Sequence, residues 1–217
     1  MELLHFDIET CGEYQDFDTF NLSDEIGSKL FIKKYDKMNW VEKHGSIENA
    51  YLREAPLLST YGKICCISTG YINDNGEPII RSLVGDEKYI VETFNNFLKK
   101  IEIKNFKIGG YSVNHFDIPW LLHKLHKYRI VPSDIIKPYN KKPWDLRIFD
   151  LYDDWRVRLP STYTFEEVSN ELGLISPKDL MDGSMVHSYF YNGDIDKIKT
   201  YCEKDVKTSI EIAKIIY

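Results

Sequence analysis

Two β-rich runs separated by four turn residues constrain the fold of this chain more than any other stretch. Residues 63–72 (KICCISTGYI) and 77–84 (EPIIRSLV) flank NDNG, a hairpin signal, and so predict two antiparallel strands. An apolar-rich run at 2–8 (ELLHFDI), met by Cys11-Gly12, reads as a strand entering the core. Asp86 caps a helix in which Ile90, Val91, Phe94, Phe97, Leu98 and Ile101 recur at helical spacing. Residues 106–110 (FKIGG) and 147–151 (RIFDL) read as two further strands. Asp117 opens a helix with Pro119 in its first turn, where proline is tolerated. Thr164 and Glu167 have capping-box spacing for a helix that ends near Gly173, and Asp194 caps a last helix running to the C-terminus. The order β, insert, ββ, α, β, α, β, α, α predicts an α/β fold with a mixed sheet flanked by helices.

Between the first strand and Tyr61 lies a charged, aromatic-rich insert, about 12–60, with two helix-like pieces at 24–38 and 46–54. Two readings stand side by side: a lid or substrate-binding flap, or a solvated decoration that covers a sheet edge. At 217 residues one domain is expected, 1–217, with the insert inside it. Lys and Arg number 28 against 34 Asp and Glu, a net charge of −6, which counts against gripping nucleic acid by charge alone. Cys11, Cys65, Cys66 and Cys202 have no C-x-x-C spacing, which argues against a disulfide framework or a structural zinc site. The expectation is a reduced, cytoplasmic protein. No run approaches the ~20 apolar residues of a membrane span. The N-terminus, MELLHFDIETCG, does not read as a signal peptide. The absence of P-loop, G-x-G-x-x-G and G-x-S-x-G patterns weighs against nucleotide kinase, dehydrogenase and α/β-hydrolase readings.

The acids are more informative. Asp7 and Glu9, two apart on a strand, share a face while Ile8 turns the other way. Like charges that close repel unless a cation sits between them, which points to a hard divalent metal. Against that, a chain this acidic holds about one D-x-E by chance, and solvated strand-end acids are the plainer reading of the pair taken alone. Tyr201 and Asp205, at i and i+4, stack on one face of the last helix, bordering the stripe Ile195, Ile198, Cys202, Val206, Ala213, Ile216. Y-x-x-x-D also occurs about once by chance. Asp117, within Asn114-His115-Phe116-Asp117-Ile118-Pro119, is explained by helix capping alone. Order changes the weighing: a pair on the first strand, an Asp after a Gly-Gly strand, and a Tyr/Asp pair on the last helix.

In that order FDIET, GGYSVNHFDIPWLL and YCEKDV resemble the three motifs of the DEDD superfamily of 3′–5′ exonucleases. The tyrosine four residues before the last Asp resembles the DEDDy branch. The run LGLISPKDLMDGSMVHSYFYNGDIDKIKTYCEKDV is similar to the LGI-PKD-DGS-V stretch of stand-alone bacterial exonucleases related to the proofreading domain of family-B DNA polymerases. The resemblance covers most of residues 1–217 and is weakest over the insert. It implies a ribonuclease H-like fold in which Asp7, Glu9, Asp117 and Asp205 meet around two Mg²⁺ (or Mn²⁺) ions, about 3.5–4 Å apart, with Asp7 bridging them. It implies that Tyr201 orients the attacking water, since a phenol of pKa ~10 is a poor base.

The same resemblance implies DNA 3′ ends as substrate, single-stranded or frayed, and replication or repair proteins as associates. The alternatives are an exoribonuclease, or a nucleic-acid-binding module without activity. Thr10, Phe116, Lys178 of PKD and Ser184 of DGS follow the motifs as substrate contacts, with loop solvation an equal reading for Lys178 and Ser184. For Phe116 and Trp120, core packing is the plainer reading than base stacking. The family's second motif reads N-x-x-x-F-D, whereas the position four before Phe116 is Ser112; Asn114, two residues later, is the other candidate for the role. Asp150 resembles a family position that supports the site. Asp145, Asp153 and Asp154 read as loop acids, and His5, His44, His115, His123, His126 and His187, lacking ligand spacing, as packing or surface residues. Two bound ions would bring the working charge from −6 to about −2, so acidity does not exclude nucleic acid.

Overall fold

The structure, a computed structural model, describes residues 2–102, 106–139, 141–142, 145–174 and 181–217. Its sheet has five strands: β1 (Glu2–Gly12), β2 (Gly62–Ile72), β3 (Pro78–Val84), β4 (Phe106–Gly110) and β5 (Ile148–Asp150), in the order β3-β2-β1-β4-β5. The β1–β2 and β2–β3 pairs are antiparallel, and the β1–β4 and β4–β5 pairs are parallel. The turn after β2 closes as the NDNG pattern predicts. Gly76, at φ +81°, donates its amide to the Asn73 carbonyl at 2.9 Å. The first strand extends past the expected 2–8, because pairing with β2 continues to Gly12 through a register shift at Glu9/Thr10.

The insert folds as α1 (Phe17–Ser23), α2 (Glu25–Lys37), α3 (Trp40–His44) and α4 (Ile47–Glu54), followed by a 3₁₀ turn at Ala55–Leu57. The two expected pieces correspond to α2 and α4. The sequence reading missed α1 and α3, at seven and five residues too short to show a helical period. Phe17, Phe20, Phe31, Trp40 and Tyr51 build an aromatic core of the insert's own. The insert is anchored where β1 ends, through Thr10 Oγ1 donating to the Pro56 carbonyl at 2.6 Å and Tyr51 Oη to the Tyr14 carbonyl at 3.2 Å. It joins two interior strands, whereas β3 and β5 form the sheet edges.

Helices cover both faces of the sheet. On one face α5 (Glu87–Ile101) and α6 (Asp117–Lys127) bury Ile90, Val91, Phe94, Leu98, Leu121 and Leu125 against Leu4, Phe6 and Ile8 of β1. After β5 come α7 (Leu151–Arg156), α8 (Phe165–Glu171), α9 (Val186–Tyr191) and α10 (Ile195–Ile216). The capping box of α8 forms as expected, and Gly173 follows it at φ +69°. The six-residue helices α7 and α9 were not foreseen. Asp194 precedes α10 without a side-chain capping bond, its carboxylate pairing instead with Lys197 at 3.0 Å. On the second sheet face α10 packs Ile198, Tyr201 and Cys202 against Cys11, Cys65 and Cys66. A Cβ at Gly70 of β2 would lie 2.6 Å from Val206 Cγ1, so glycine there lets α10 approach the sheet closely. Among the described residues no helix is long and apolar enough to cross a membrane.

Candidate metal centre and active site

The site begins where two parallel strands part. The β1–β4 pairing ends at His5 opposite Gly109, and β4 itself stops at Gly110. The Ile8 amide therefore finds no strand partner on that side, and Asp117 Oδ1 accepts from it at 3.0 Å. This corrects the capping explanation of Asp117. The N-cap of α6 is Phe116, and Asp117, the first helical residue, gives its carboxylate to β1 instead. The loop between β4 and α6 is held from β5. Asp150 Oδ1 accepts from the Ser112 amide at 2.9 Å and the Tyr152 amide at 3.0 Å, and Oδ2 from the Asn114 amide at 2.8 Å. Those bonds hold Ser112 at φ +60°, a left-handed conformation that non-glycine residues seldom adopt.

From the opposite side α10 presents Tyr201, Cys202 and Asp205, all buried. One ligand atom each of Asp7, Glu9 and Cys202 lie within 4.8 Å of one another. Cys202 Sγ donates to Asp7 Oδ2 at 3.3 Å and reaches the Asp7 carbonyl at 3.4 Å. Burial, then the charges of Asp117 and Asp205, push the Asp7 carboxyl well above the usual range, with the Cys202 bond opposing. Glu9 is raised by burial and by Asp7 and Asp205. Asp117 is pushed up to about 7 by burial, against the stabilising Ile8 amide. Four carboxylates thus share one field, and among the described residues the charges that act most on Asp7, Glu9 and Asp117 are other acids and Cys66. This crowding of hard oxygen donors fits a divalent cation, whose charge would offset the repulsion. Burial, then Asp205, Glu9 and Asp7, raise the Tyr201 phenol far above its ordinary value, so it stays protonated.

The remaining sequence candidates are scattered around this cluster. The Thr10 hydroxyl is committed to Pro56 and ties the insert to β1. Phe116 is half-buried with its ring 5.7 Å from Trp120, and Trp120 lies in the apolar core. Ser112 is half-buried, whereas Asn114 is exposed with Nδ2 3.4 Å from Asp153 Oδ2. Ser184 is exposed in a turn where Asp182 accepts its amide at 2.7 Å. That turn lies against Tyr201, since a Cβ on Gly183 would be 3.9 Å from Tyr201 Oη. Lys178 lies outside the described residues.

Sequence reasoning missed Cys202 and the histidine that braces the end of β1. Cys202 sits between Tyr201 and Asp205 within the last motif, but its place in the apolar stripe made it read as core. His187 Nδ1 accepts from the Gly12 amide at 3.0 Å while Nε2 bonds the Gln15 carbonyl at 2.8 Å. Tyr191 Oη donates to the Glu13 carbonyl at 2.8 Å. No signal in the sequence separates His187 from an ordinary surface histidine.

A search of curated proteins returns no match to the chain. Residues 57–210 match a family described as predicted 3′-5′ exonuclease related to the exonuclease domain of PolB. The matched span holds Asp117, Tyr201 and Asp205 but begins after β1, so it is narrower than the resemblance read from the motifs and leaves out Asp7, Glu9 and most of the insert. The five-stranded mixed sheet with helices on both faces is the ribonuclease H-like arrangement that the resemblance implies. With well over half of its length matched, the chain belongs to the family of predicted 3′-5′ exonucleases related to the exonuclease domain of PolB.

Proposed function

We propose that the chain hydrolyses phosphodiester bonds from the 3′ end of DNA, single-stranded or frayed, using two divalent ions, Mg²⁺ or Mn²⁺. The observation that carries this reading is the shared field of Asp7, Glu9, Asp117 and Asp205 beside Tyr201, at the end where β1 and β4 part. Those four carboxylates, Asp7 among them, would hold the ions. When bound, the ions supply an acidified water and neutralise charge developing on the leaving 3′ oxygen. Asp117, whose Oδ1 is held by the Ile8 amide, would offer its second oxygen to the ions. Cys202 fixes one oxygen of Asp7 and so orients the other. Tyr201 keeps its proton, and we assign it the task of orienting the attacking water by a hydrogen bond rather than removing its proton. Asp150 acts as a positioning residue, holding the loop that delivers Asp117. The insert, anchored through Thr10 at the end of the strand that carries Asp7 and Glu9, we read as a substrate-binding element of the same domain. Four buried free thiols support a reducing, cytoplasmic setting.

The test is direct. Single-stranded DNA and RNA of one sequence, labelled at the 5′ end, are incubated with the protein and Mg²⁺, Mn²⁺ or EDTA. The expected result is a DNA ladder shortening from the 3′ end, abolished by EDTA. Preferential shortening of the RNA strand would replace DNA by RNA as the substrate, and an uncut pair with both metals would end the enzyme reading. Deleting residues 24–54 tests the insert: a folded variant that trims DNA as before has lost no substrate-binding element.

A further inference from the structure

Tyr201 lines a second space besides the carboxylate site. A cavity of about 380 Å³ opens between α9 and α10, with Met181, Tyr189, Lys197, Thr200 and Lys204 also in its wall. Positions 200 and 201 each lie three or four residues from both 197 and 204, so one face of α10 carries two lysines around the proposed water-orienting tyrosine. The two lysines differ in what they already hold. Lys197 Nζ is 3.0 Å from Asp194 Oδ2 and 4.9 Å from the centre of the Tyr189 ring, which fixes that ring as a wall. Lys204 is half-buried, and among the described residues no carboxylate lies within ion-pair distance of its ammonium. The Thr200 hydroxyl donates to the Asp196 carbonyl at 2.8 Å, so of the wall's two lysines Lys204 is the uncommitted one; the Asp196 side chain is exposed at the rim. A cation with no carboxylate at ion-pair distance among the described residues, beside an aromatic and a thioether, suits a ligand that is anionic at one end and flat and apolar at the other.

We propose that this cavity is a subsite for a nucleoside 5′-monophosphate unit, with its phosphate at Lys204 and its base against Tyr189 and Met181. The proposal rests on the exonuclease reading, because hydrolysis at a 3′ end releases such a unit and the strand is built of them. It is tested by titrating the intact protein with dAMP in EDTA, calorimetrically, so that binding is measured apart from catalysis. Wild-type protein is expected to bind at millimolar dAMP or below, and Lys204→Ala to weaken that binding about tenfold while leaving deoxyadenosine, which lacks the phosphate, unaffected. Tyr189→Ala is expected to weaken both ligands. Circular dichroism checks that each variant is folded.

Absence of dAMP binding by the wild type, or equal binding by Lys204→Ala, overturns the subsite. DNA trimming on the same preparation separates the two readings. A protein that trims DNA yet fails the dAMP test loses only the subsite; one that binds dAMP through Lys204 but trims neither DNA nor RNA loses only the exonuclease assignment. Added dAMP then distinguishes the sources of the unit: competition with the strand marks a place on the substrate's path, and non-competitive inhibition marks a pocket for the released product.

Discussion

Successive residues of β1 serve two different chemistries. Leu4, Phe6 and Ile8 face α5 and α6 and are almost fully buried among apolar side chains. His5, Asp7 and Glu9, one step out of phase, face α10: His5 bonds Ser209 at 2.8 Å, and the acids meet Cys202 and the charge of Asp205. Each apolar residue contributes about 1.5–3 kcal/mol by leaving water. The acidic face does the reverse, because a carboxylate whose ionisation is suppressed by burial and by neighbouring charge subtracts stability at neutral pH. The pleat of a single strand thus separates the residues that hold the fold from those that load it for chemistry.

Exchanging one residue from each face tests that separation most severely. Asp7→Ala should reduce DNA trimming on the order of a thousandfold, about 4 kcal/mol of transition-state stabilisation, with a metal-free Tm that is unchanged or raised. Phe6→Ala should cost about 3–5 kcal/mol of unfolding free energy while the folded fraction keeps its Mn²⁺ affinity. Denaturant melts paired with Mn²⁺ titration by electron paramagnetic resonance measure both. If Asp7→Ala melts like Phe6→Ala, the two faces are not separate.

The next effect is a dependence on pH. Burial pushes the Asp117 carboxyl up to about 7 in the fold against ~3.9 when unfolded, so between these values the unfolded chain has released a proton that the fold retains. Metal-free stability should therefore fall as pH rises from about 4 to about 7. Asp117→Asn, which keeps the acceptor for Ile8 without the charge, should flatten that slope. Mn²⁺ should raise Tm more at pH 8 than at pH 5, since carboxylates must be ionised to bind it. Thermal melts across pH with and without metal decide; a slope of the opposite sign would show that the carboxylates do not oppose one another.

Smaller effects belong to residues that touch the acids or their loop. Asp150→Ala frees the Ser112 and Asn114 amides and should lower kcat about 10–100-fold, with a loss of about 1 kcal/mol from the start of α7. Equal kcat in that variant would detach β5 from the site. Cys202→Ala removes a donor from Asp7 and should weaken Mn²⁺ binding about two- to tenfold, whereas Cys202→Ser, which keeps a donor, should restore most of it. A serine variant no better than alanine would make Cys202 a packing residue only.

How much of this was legible in the sequence follows from how far each signal reaches along the chain. The hairpin around NDNG, the α5 periodicity and the Thr164–Glu167 box are local, and each was read with nearly its observed bounds. The acids were legible only as an ordered set: none of Asp7, Glu9, Asp117 or Asp205 stands out alone, and the family motifs supplied the connection. The short helices α1, α3, α7 and α9 escaped because a helix of five to seven residues shows less than two turns of pattern. Taken alone Asp117 reads as a cap, because a capping carboxylate and one bonded to a strand 109 positions away look identical in sequence. Cys202 escaped for a similar reason, its partner lying 195 positions upstream. Contacts that depend on where β1 and β4 part leave no local trace.

The bond between the Ile8 amide and Asp117 turns one backbone proton into a gauge of the site. Its nuclear resonance should move with the ionisation of Asp117, shifting near pH 7 in the metal-free protein and holding its position across that range once divalent ions are added. A nucleus in the middle of a rigid strand would then report occupancy of the carboxylate cluster in real time, without a substrate and without altering a side chain.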